Sequence, residues 1–406
     1  MISISKLYCG KAEPFDELRY GPPAKPGAAA ARRDSRKPVV VWNVTQRCNL
    51  NCVHCYARSG HDVRQDDLTT VEGLRLLEDL AQFTVPVVLF SGGEPLMRGD
   101  IFELAARAHG LGLRAVLSTN GTLIDTETAA RLKGCGVTYV GISLDGMQRT
   151  NDVFRGVKGA YDMALTGVRN SRDAGVKVGL RFTITKNNAA DVPAIFDLVR
   201  EEGISRVCFY HLVYAGRGSS MMSEDLDHAA ARRLLDLIID KTAELHKEGL
   251  GTEVLTVDNL ADGPYLYLRM KREGHPGAGR ALDLLRANGG AASGAGIGCV
   301  SWDGSVHPDQ FWRHESLGNV RQRPFHEIWT DPSQPLLGRL RNARDHVMGR
   351  CAACRFLDCC GGNFRVRAEA ATGDLWAGDP ACYLTDDETG TSPRSGAGIR
   401  GEAKSA

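Results

Sequence analysis

The chain has 406 residues, a formal net charge of +1, 43% hydrophobic residues and 24% charged ones. That length exceeds one ordinary domain and suits a barrel-sized unit with a smaller module. The near-zero charge excludes a global field that recruits nucleic acid or an anionic membrane surface, and no apolar run is long enough to span a bilayer.

The start, MISISKLYCG, lacks the basic-then-apolar order of a signal peptide, so the cytoplasm is the expected location. In that reducing setting twelve cysteines point to metal binding or catalysis rather than to a disulfide framework. Residues 1–37 read as an N-terminal arm, irregular over the Pro-, Ala-, Arg- and Gly-rich stretch 20–37. From residue 38, β-branched runs at 39–44, 86–90, 114–118, 137–143, 176–184 and 206–212 predict strands, each followed by helical periodicity. In the first helix Leu74, Leu77, Leu80 and Ala81 form the apolar face, and Thr69 with Glu72 makes a capping-box pattern at its start. Gly136, Gly175 and Gly203 fall at expected helix ends.

Six strand–helix units imply an α/β fold with a parallel sheet and right-handed crossovers. Their regularity predicts a partial (β/α)6, TIM-like barrel over 38–248, with a doubly wound open sheet as the alternative. Either way the chemistry belongs at the C-terminal ends of the strands. Residues 225–248 read as a long helix, 249–296 as a less regular bridging region, 297–385 as a small cysteine-rich domain, and 386–406 as a polar tail without fixed structure.

Directly after the first strand comes TQRCNLNCVHCYARSG, with Cys48, Cys52 and Cys55 spaced Cys-x3-Cys-x2-Cys. Three thiolates hold three irons of a 4Fe–4S cube and leave the fourth open to a chelating ligand. Zinc is the rival reading, since His54 sits between two of the cysteines. After the second strand SGGEP follows: Gly92 and Gly93 permit close backbone approach, and Glu94 offers a carboxylate to a cationic group.

The triad, with Tyr56 after its third cysteine, and the GGE turn resemble the radical S-adenosylmethionine (SAM) superfamily. The resemblance implies that Gly92, Gly93 and Glu94 hold the SAM amino group, with Ser143 and Arg155 at its ribose or carboxylate. It further implies reductive SAM cleavage to a 5′-deoxyadenosyl radical that abstracts a substrate hydrogen, with electrons from a low-potential donor such as ferredoxin or flavodoxin. The second cysteine string, RCAACRFLDCCGGNF to DPAC, resembles the C-terminal SPASM or twitch module of such enzymes. Phe364 and Asp309 stand where the full pattern has further cysteines. The resemblance therefore implies one auxiliary 4Fe–4S cluster, held by Cys351, Cys354, Cys360 and Cys382, and two clusters in all. Family spacing favours Cys360 over Cys359, and zinc is again the rival. Cys135 and Cys208 read as small hydrophobes, Cys299 as a vestige or a substrate-side residue, and Cys9 has no assignment.

Runs from the N-terminus to about residue 386, among them VCFYHLVYAGRGS and CVSWDGSVHPDQFWRH, resemble the radical SAM enzymes of alternative haem synthesis. The didecarboxysiroheme deacetylases are nearest. They remove two acetates from 12,18-didecarboxysiroheme and leave iron-coproporphyrin III. A haem d1 enzyme removing propionates from the same substrate, a peptide-modifying SPASM enzyme and a non-catalytic electron carrier are the alternatives. A flat polyanionic iron tetrapyrrole needs apolar walls and basic partners. Tyr210, His211, Tyr214, Arg217, Phe311, Trp312, Arg313 and His314 are the candidates, with Arg365 and Arg367 weaker and His211, His307 or His314 as possible iron ligands.

Overall fold

Each β-branched run becomes a strand. The computed structural model describes residues 1–12, 16–21, 37–61 and 66–391. Among these residues the strands are β1 (Ile2–Ser3), β2 (Val39–Thr45), β3 (Val87–Gly92), β4 (Arg114–Thr119), β5 (Tyr139–Ser143), β6 (Lys177–Ile184), β7 (Arg206–His211), β8 (Glu253–Val257), β9 (Ile297–Val300), β10 (Ser305–His307) and β11 (Gly318–Asn319). They join in one sheet of order β1-β8-β7-β6-β5-β4-β3-β2-β9-β10-β11. From β2 to β8 the strands run parallel in sequence order, and β9 is parallel to β2. A flat sheet would separate β2 from β8 by roughly 29 Å, six spacings of about 4.8 Å. Yet one cavity touches Val41 on β2 and Asp258 just after β8. The sheet therefore curls into a partial barrel.

The sheet is longer than the six strands read in the sequence. The stretch expected to bridge, 249–296, contributes β8 and the helices Asp262–Arg272 and Ala278–Asn288. β8 is buried along its whole length, although it carries Glu253 and Thr256. Those polar residues hide a core strand from a hydrophobicity reading.

The first helix, Thr70–Gln82, has both hydrogen bonds of its capping box, Glu72 N–H to Thr69 Oγ1 and Thr69 N–H to Glu72 Oε2. Its buried face is Gly73, Leu76, Leu77 and Leu80, so Leu74 and Ala81 stand at the edge of the expected stripe rather than within it. Gly73 is required because a Cβ there would lie 2.8 Å from the Trp42 ring. Under the other helices the core is aromatic: Phe196 stacks on Phe209 at 5.4 Å and Phe182 meets Phe209 edge-on at 5.7 Å.

Two ends of the chain depart from expectation. The arm begins as structure: β1 pairs antiparallel with β8, and Ile2, Ile4 and Leu7 are buried. Residues 22–36 of that arm lie outside the described residues, as does the tail from 392. The tail was expected to lack structure from 386, but Asp386–Thr389 forms a helical turn. A Thr385–Glu388 capping box starts it, and Arg232 grips both Glu388 oxygens at 2.7 Å.

The small C-terminal unit is riveted to the barrel by Arg367, which has no exposure. It donates to both oxygens of Asp379 at 2.9 and 3.0 Å, to Leu212 O at 3.1 Å past β7, and to Asp258 O at 2.7 Å past β8. At the opposite, N-terminal end of the same two strands, buried Glu253 pairs with Arg19 at 2.6 Å and with Arg206. Removing one member of such a buried set leaves uncompensated charge. Glu253→Ala is expected to lower unfolding stability by about 3–5 kcal/mol, measured by denaturant titration; a loss near zero would show that the triad does not tie the N-terminus to β8.

Candidate active site

The cavity at the C-terminal strand ends has ≈ 1090 Å³ of empty space, its open mouth included. Its lining includes Cys48, Cys52, Cys55, Gly92, Gly93, Ser143, Arg155, Tyr210, His211 and Arg217 from the expected set.

The cysteine loop leaves the end of β2 and is held against β3 by backbone. Gly93 N–H donates to Thr45 O and Glu94 N–H to Arg47 O, both at 2.8 Å. A Cβ on Gly92 would lie 2.5 Å from Thr45 O, and one on Gly93 only 2.0 Å from Arg47 O. Gly92 also has φ of +117°. No side chain is compatible with that approach.

Each of the three sulfurs receives a donor. Leu50 N–H points to Cys48 Sγ and Ser59 N–H to Cys55 Sγ at 3.4 Å, while the Arg155 guanidinium reaches Cys52 Sγ at 3.6 Å. Burial pushes the Cys48 thiol up to about 12. Sulfurs that each accept from a donor fit a cationic iron core, which offsets the charge of thiolate ligands and leaves the sulfurs as acceptors. Among the described residues no three His, Cys, Asp or Glu side chains converge on a single-ion position, and all three triad cysteines line the cavity. His54, the rival zinc ligand, lines the cavity half-buried, is pushed down to about 4 by desolvation, and faces Asp145 at 3.5 Å.

Glu94 corrects an expectation. Its carboxylate does not line the cavity. Fully buried, it accepts from Thr119 Oγ1 at 2.7 Å, Asn120 N–H at 2.8 Å and Leu96 N–H at 3.1 Å. It locks the ends of β3 and β4 together, and Asn120 in turn reaches Cys48 Sγ at 3.9 Å. Asp145 does similar work past β5: it accepts from Thr183 N–H at 2.6 Å and pairs with Arg155.

In the second cysteine group Phe356 N–H donates to Cys354 Sγ at 3.4 Å, and Arg350 to Cys382 Sγ at 3.8 Å. Burial pushes Cys360 up to about 12, and the nearby Cys382, Cys354 and Cys351 add to it. These four therefore lie near one another. Cys359 turns the other way: it is 1% exposed, packs in the main core and donates to Asp358 Oδ1 at 3.4 Å. Cys299 accepts from Asn43 Nδ2 at 3.4 Å, and Tyr56 completes that chain through Asn43.

Most substrate candidates point elsewhere. Tyr214 donates to Asp225 at 2.8 Å within a separate apolar cluster. Arg217 lines the cavity, but its guanidinium is committed to Cys52 O at 2.7 Å and Ser59 O at 2.9 Å, bracing the cysteine loop. Trp312 has no exposure and packs against Val213, Ala215 and Val366. Arg313 donates to Ala57 O at 2.8 Å and stacks on Trp302, and exposed His314 faces Glu369. Arg365 is spent on carbonyls of Leu375, Ala377 and Gly362, and His307 on Glu315 O. Tyr210 and His211 do line the cavity; His211 Nε2 is paired with Asp262 at 2.9 Å. From the aromatic–basic cluster only Phe311 faces inward, with Gln310, because buried Asp309 captures Phe311 N–H at 2.8 Å and turns the loop.

Several lining residues escaped the sequence reading: Arg181, Thr183 and Asp258. Asp258 stands just past β8 with φ of +65°, unusual for a residue with a side chain. Burial lifts its carboxyl to about 6.

Parallel strands ending on a cysteine-ringed cavity, with a second thiol group behind it, define a cluster-dependent enzyme. The sequence pattern of the Radical SAM superfamily matches residues 42–199, and that of the SPASM iron–sulfur cluster-binding domain matches 296–355. A Methanosarcina barkeri relative, "Fe-coproporphyrin III synthase", is 58% identical over 395 residues, 96% of this chain and 99% of its own. A Dinoroseobacter shibae relative, "Pre-heme d1 synthase", is 47% identical over 89% of each chain. The structure of Streptococcus suis SuiB bound to S-adenosylmethionine shares the fold, with a TM-score of 0.68 at 19% identity, covering 88% of this chain and 80% of that one. The chain belongs to the radical SAM superfamily, in the branch that carries a SPASM domain. Its cofactors are SAM and two 4Fe–4S clusters.

Gly93→Ala is expected to displace the cysteine loop. Reconstituted protein should then hold about four irons per chain in place of about eight, by iron and sulfide analysis; an unchanged count would show that the close approach is dispensable. By the same assay Cys360→Ala should also retain about four and Cys359→Ala about eight. The reverse pattern would reassign the ligand.

Proposed function

We propose that this chain makes iron-coproporphyrin III by removing the two acetate side chains of 12,18-didecarboxysiroheme. One observation carries the reading: 58% identity to an Fe-coproporphyrin III synthase runs through nearly the whole of both chains, module for module. In this reading Cys48, Cys52 and Cys55 hold the first cluster with one iron left for SAM. Gly92, Gly93, Ser143 and Arg155 line the SAM end, and Cys351, Cys354, Cys360 and Cys382 hold the second cluster. When bound, these groups supply one-electron chemistry and hydrogen abstraction, fed by a low-potential donor of the ferredoxin or flavodoxin kind.

The chain's own residues supply placement and dryness. Glu94 and Asp145 fix the ends of β3 to β6, so the cysteine loop and the floor of the cavity move as one body. Arg217 and Arg313 hold the loop from outside through backbone carbonyls. Val41, Leu89, Tyr210 and Phe311 give the apolar walls a flat ring needs, and the C-terminal unit shields that space from water.

Product mass tests the reading. Didecarboxysiroheme with SAM and reductant should give a product lacking two acetate side chains, and Cys48→Ala should abolish both this and 5′-deoxyadenosine. Loss of propionates would support the haem d1 alternative, to which the 47% identical relative lends weight. Cleavage of SAM with no change in any iron tetrapyrrole would overturn both.

A further inference from the structure

A polyanionic ring needs a cation that is not already spent. Arg155 is paired with Asp145, Arg217 and Arg313 are tied to carbonyls, and Arg365 and Arg367 are consumed within the C-terminal unit. Arg181 differs. It lines the cavity from β6, and among the described residues its guanidinium meets no hydrogen-bond or ion-pair acceptor. Its recorded partner is the face of Tyr210, 4.7 Å away, which orients the planar group without using its N–H donors.

The barrel is built to admit this side chain. Ser143 and Gly141 are its neighbours on β5. A Cβ on Gly141 would come within 3.0 Å of Arg181 Cδ. One strand over, a Cβ on Gly179 would strike the Tyr139 hydroxyl at 2.2 Å. Two glycines in mid-strand weaken a sheet unless they make room for something. Here they let Tyr139 and Arg181 lie in the lumen. Asp258, with its positive φ, lines the same cavity and feels the charge of Arg181 but is not hydrogen-bonded to the guanidinium.

We propose that Arg181 is the specificity-determining anchor for the substrate, pairing through its free N–H fork with a carboxylate of the tetrapyrrole. The inference rests on the haem-pathway reading above. SAM also carries a carboxylate, but Arg155 already stands at the cysteine loop, within 3.6 Å of Cys52 Sγ, whereas Arg181 contacts none of the three cysteines.

The test uses reconstituted holoenzyme and three ligands: iron-coproporphyrin III, its tetramethyl ester, and SAM. Arg181→Met should weaken binding of the free acid by about 10- to 100-fold, the usual consequence of losing one charge-assisted pair. Arg181→Lys should restore part of it. The ester and SAM should bind wild type and Arg181→Met alike, which also shows that the variant is folded. Unchanged affinity for the free acid, or a parallel loss of SAM binding, overturns the assignment while leaving the pathway intact. A wild-type enzyme that binds neither tetrapyrrole overturns the pathway reading, and the anchor with it.

Discussion

The carbonyl oxygen of Arg47 leaves no room for a side chain at position 93. That contact, with the matching one between Thr45 and Gly92, presses the cysteine loop onto the end of β3. Two backbone hydrogen bonds hold it there, and Glu94, next in the chain, is thereby driven into the interior. A buried carboxylate is costly unless its oxygens are satisfied. Thr119 and Asn120 at the end of β4, with Leu96 N–H from its own turn, satisfy this one, so the cost of burial becomes a clamp between neighbouring strand ends. The position of three thiols is thus set by backbone geometry two strands deep, not by the thiols themselves.

The second module is oriented by the same economy of buried charge. Arg367 meets Asp379 within its own unit and carbonyls at the ends of β7 and β8. The unit that carries the auxiliary cysteines is therefore tied to the barrel rim. The chain that links them also supplies Gln310 and Phe311 to the cavity wall. Arg155 serves both the loop and the floor: it donates to Cys52 and pairs with Asp145, which in turn captures the backbone of β6 at Thr183. Arg181 lies two residues before that point, so the proposed substrate anchor and the cysteine loop share one hydrogen-bonded frame.

Spacing was the legible signal. The six strands after residue 38, the capping box at Thr69, the cysteine triad and the GG turn all express rules that act over a few residues, and each stands where the sequence puts it. What failed was orientation. Tyr214, Arg217, Trp312, Arg313 and His314 have the right chemistry and lie near strand ends, but whether such a side chain turns inward depends on partners distant in sequence, such as Ala57 for Arg313, 256 residues away, and Glu369 for His314, 55 residues away. Arg181 was invisible for the opposite reason. A single arginine in VKVGLRFTI reads as the exposed face of an alternating strand, and only the closed curve of the sheet makes that face a lumen. β8 was hidden by Glu253, whose charge is balanced by arginines at positions 19 and 206. Cys359 and Cys360 are adjacent in sequence, and one turn of helix separates their surroundings: Cys359 is buried within the core, while Cys360 lies at its edge near Cys351, Cys354 and Cys382.

The central claim is that one cavity, between the cysteine loop and Arg181, brings the SAM-binding end and the tetrapyrrole together. Isotope transfer tests it most directly. Didecarboxysiroheme deuterated throughout its side chains should pass deuterium into the 5′-deoxyadenosine formed during turnover. Unlabelled 5′-deoxyadenosine accompanying full conversion of the labelled tetrapyrrole would contradict the account, because the hydrogen would then have been taken from something other than a substrate held in that cavity.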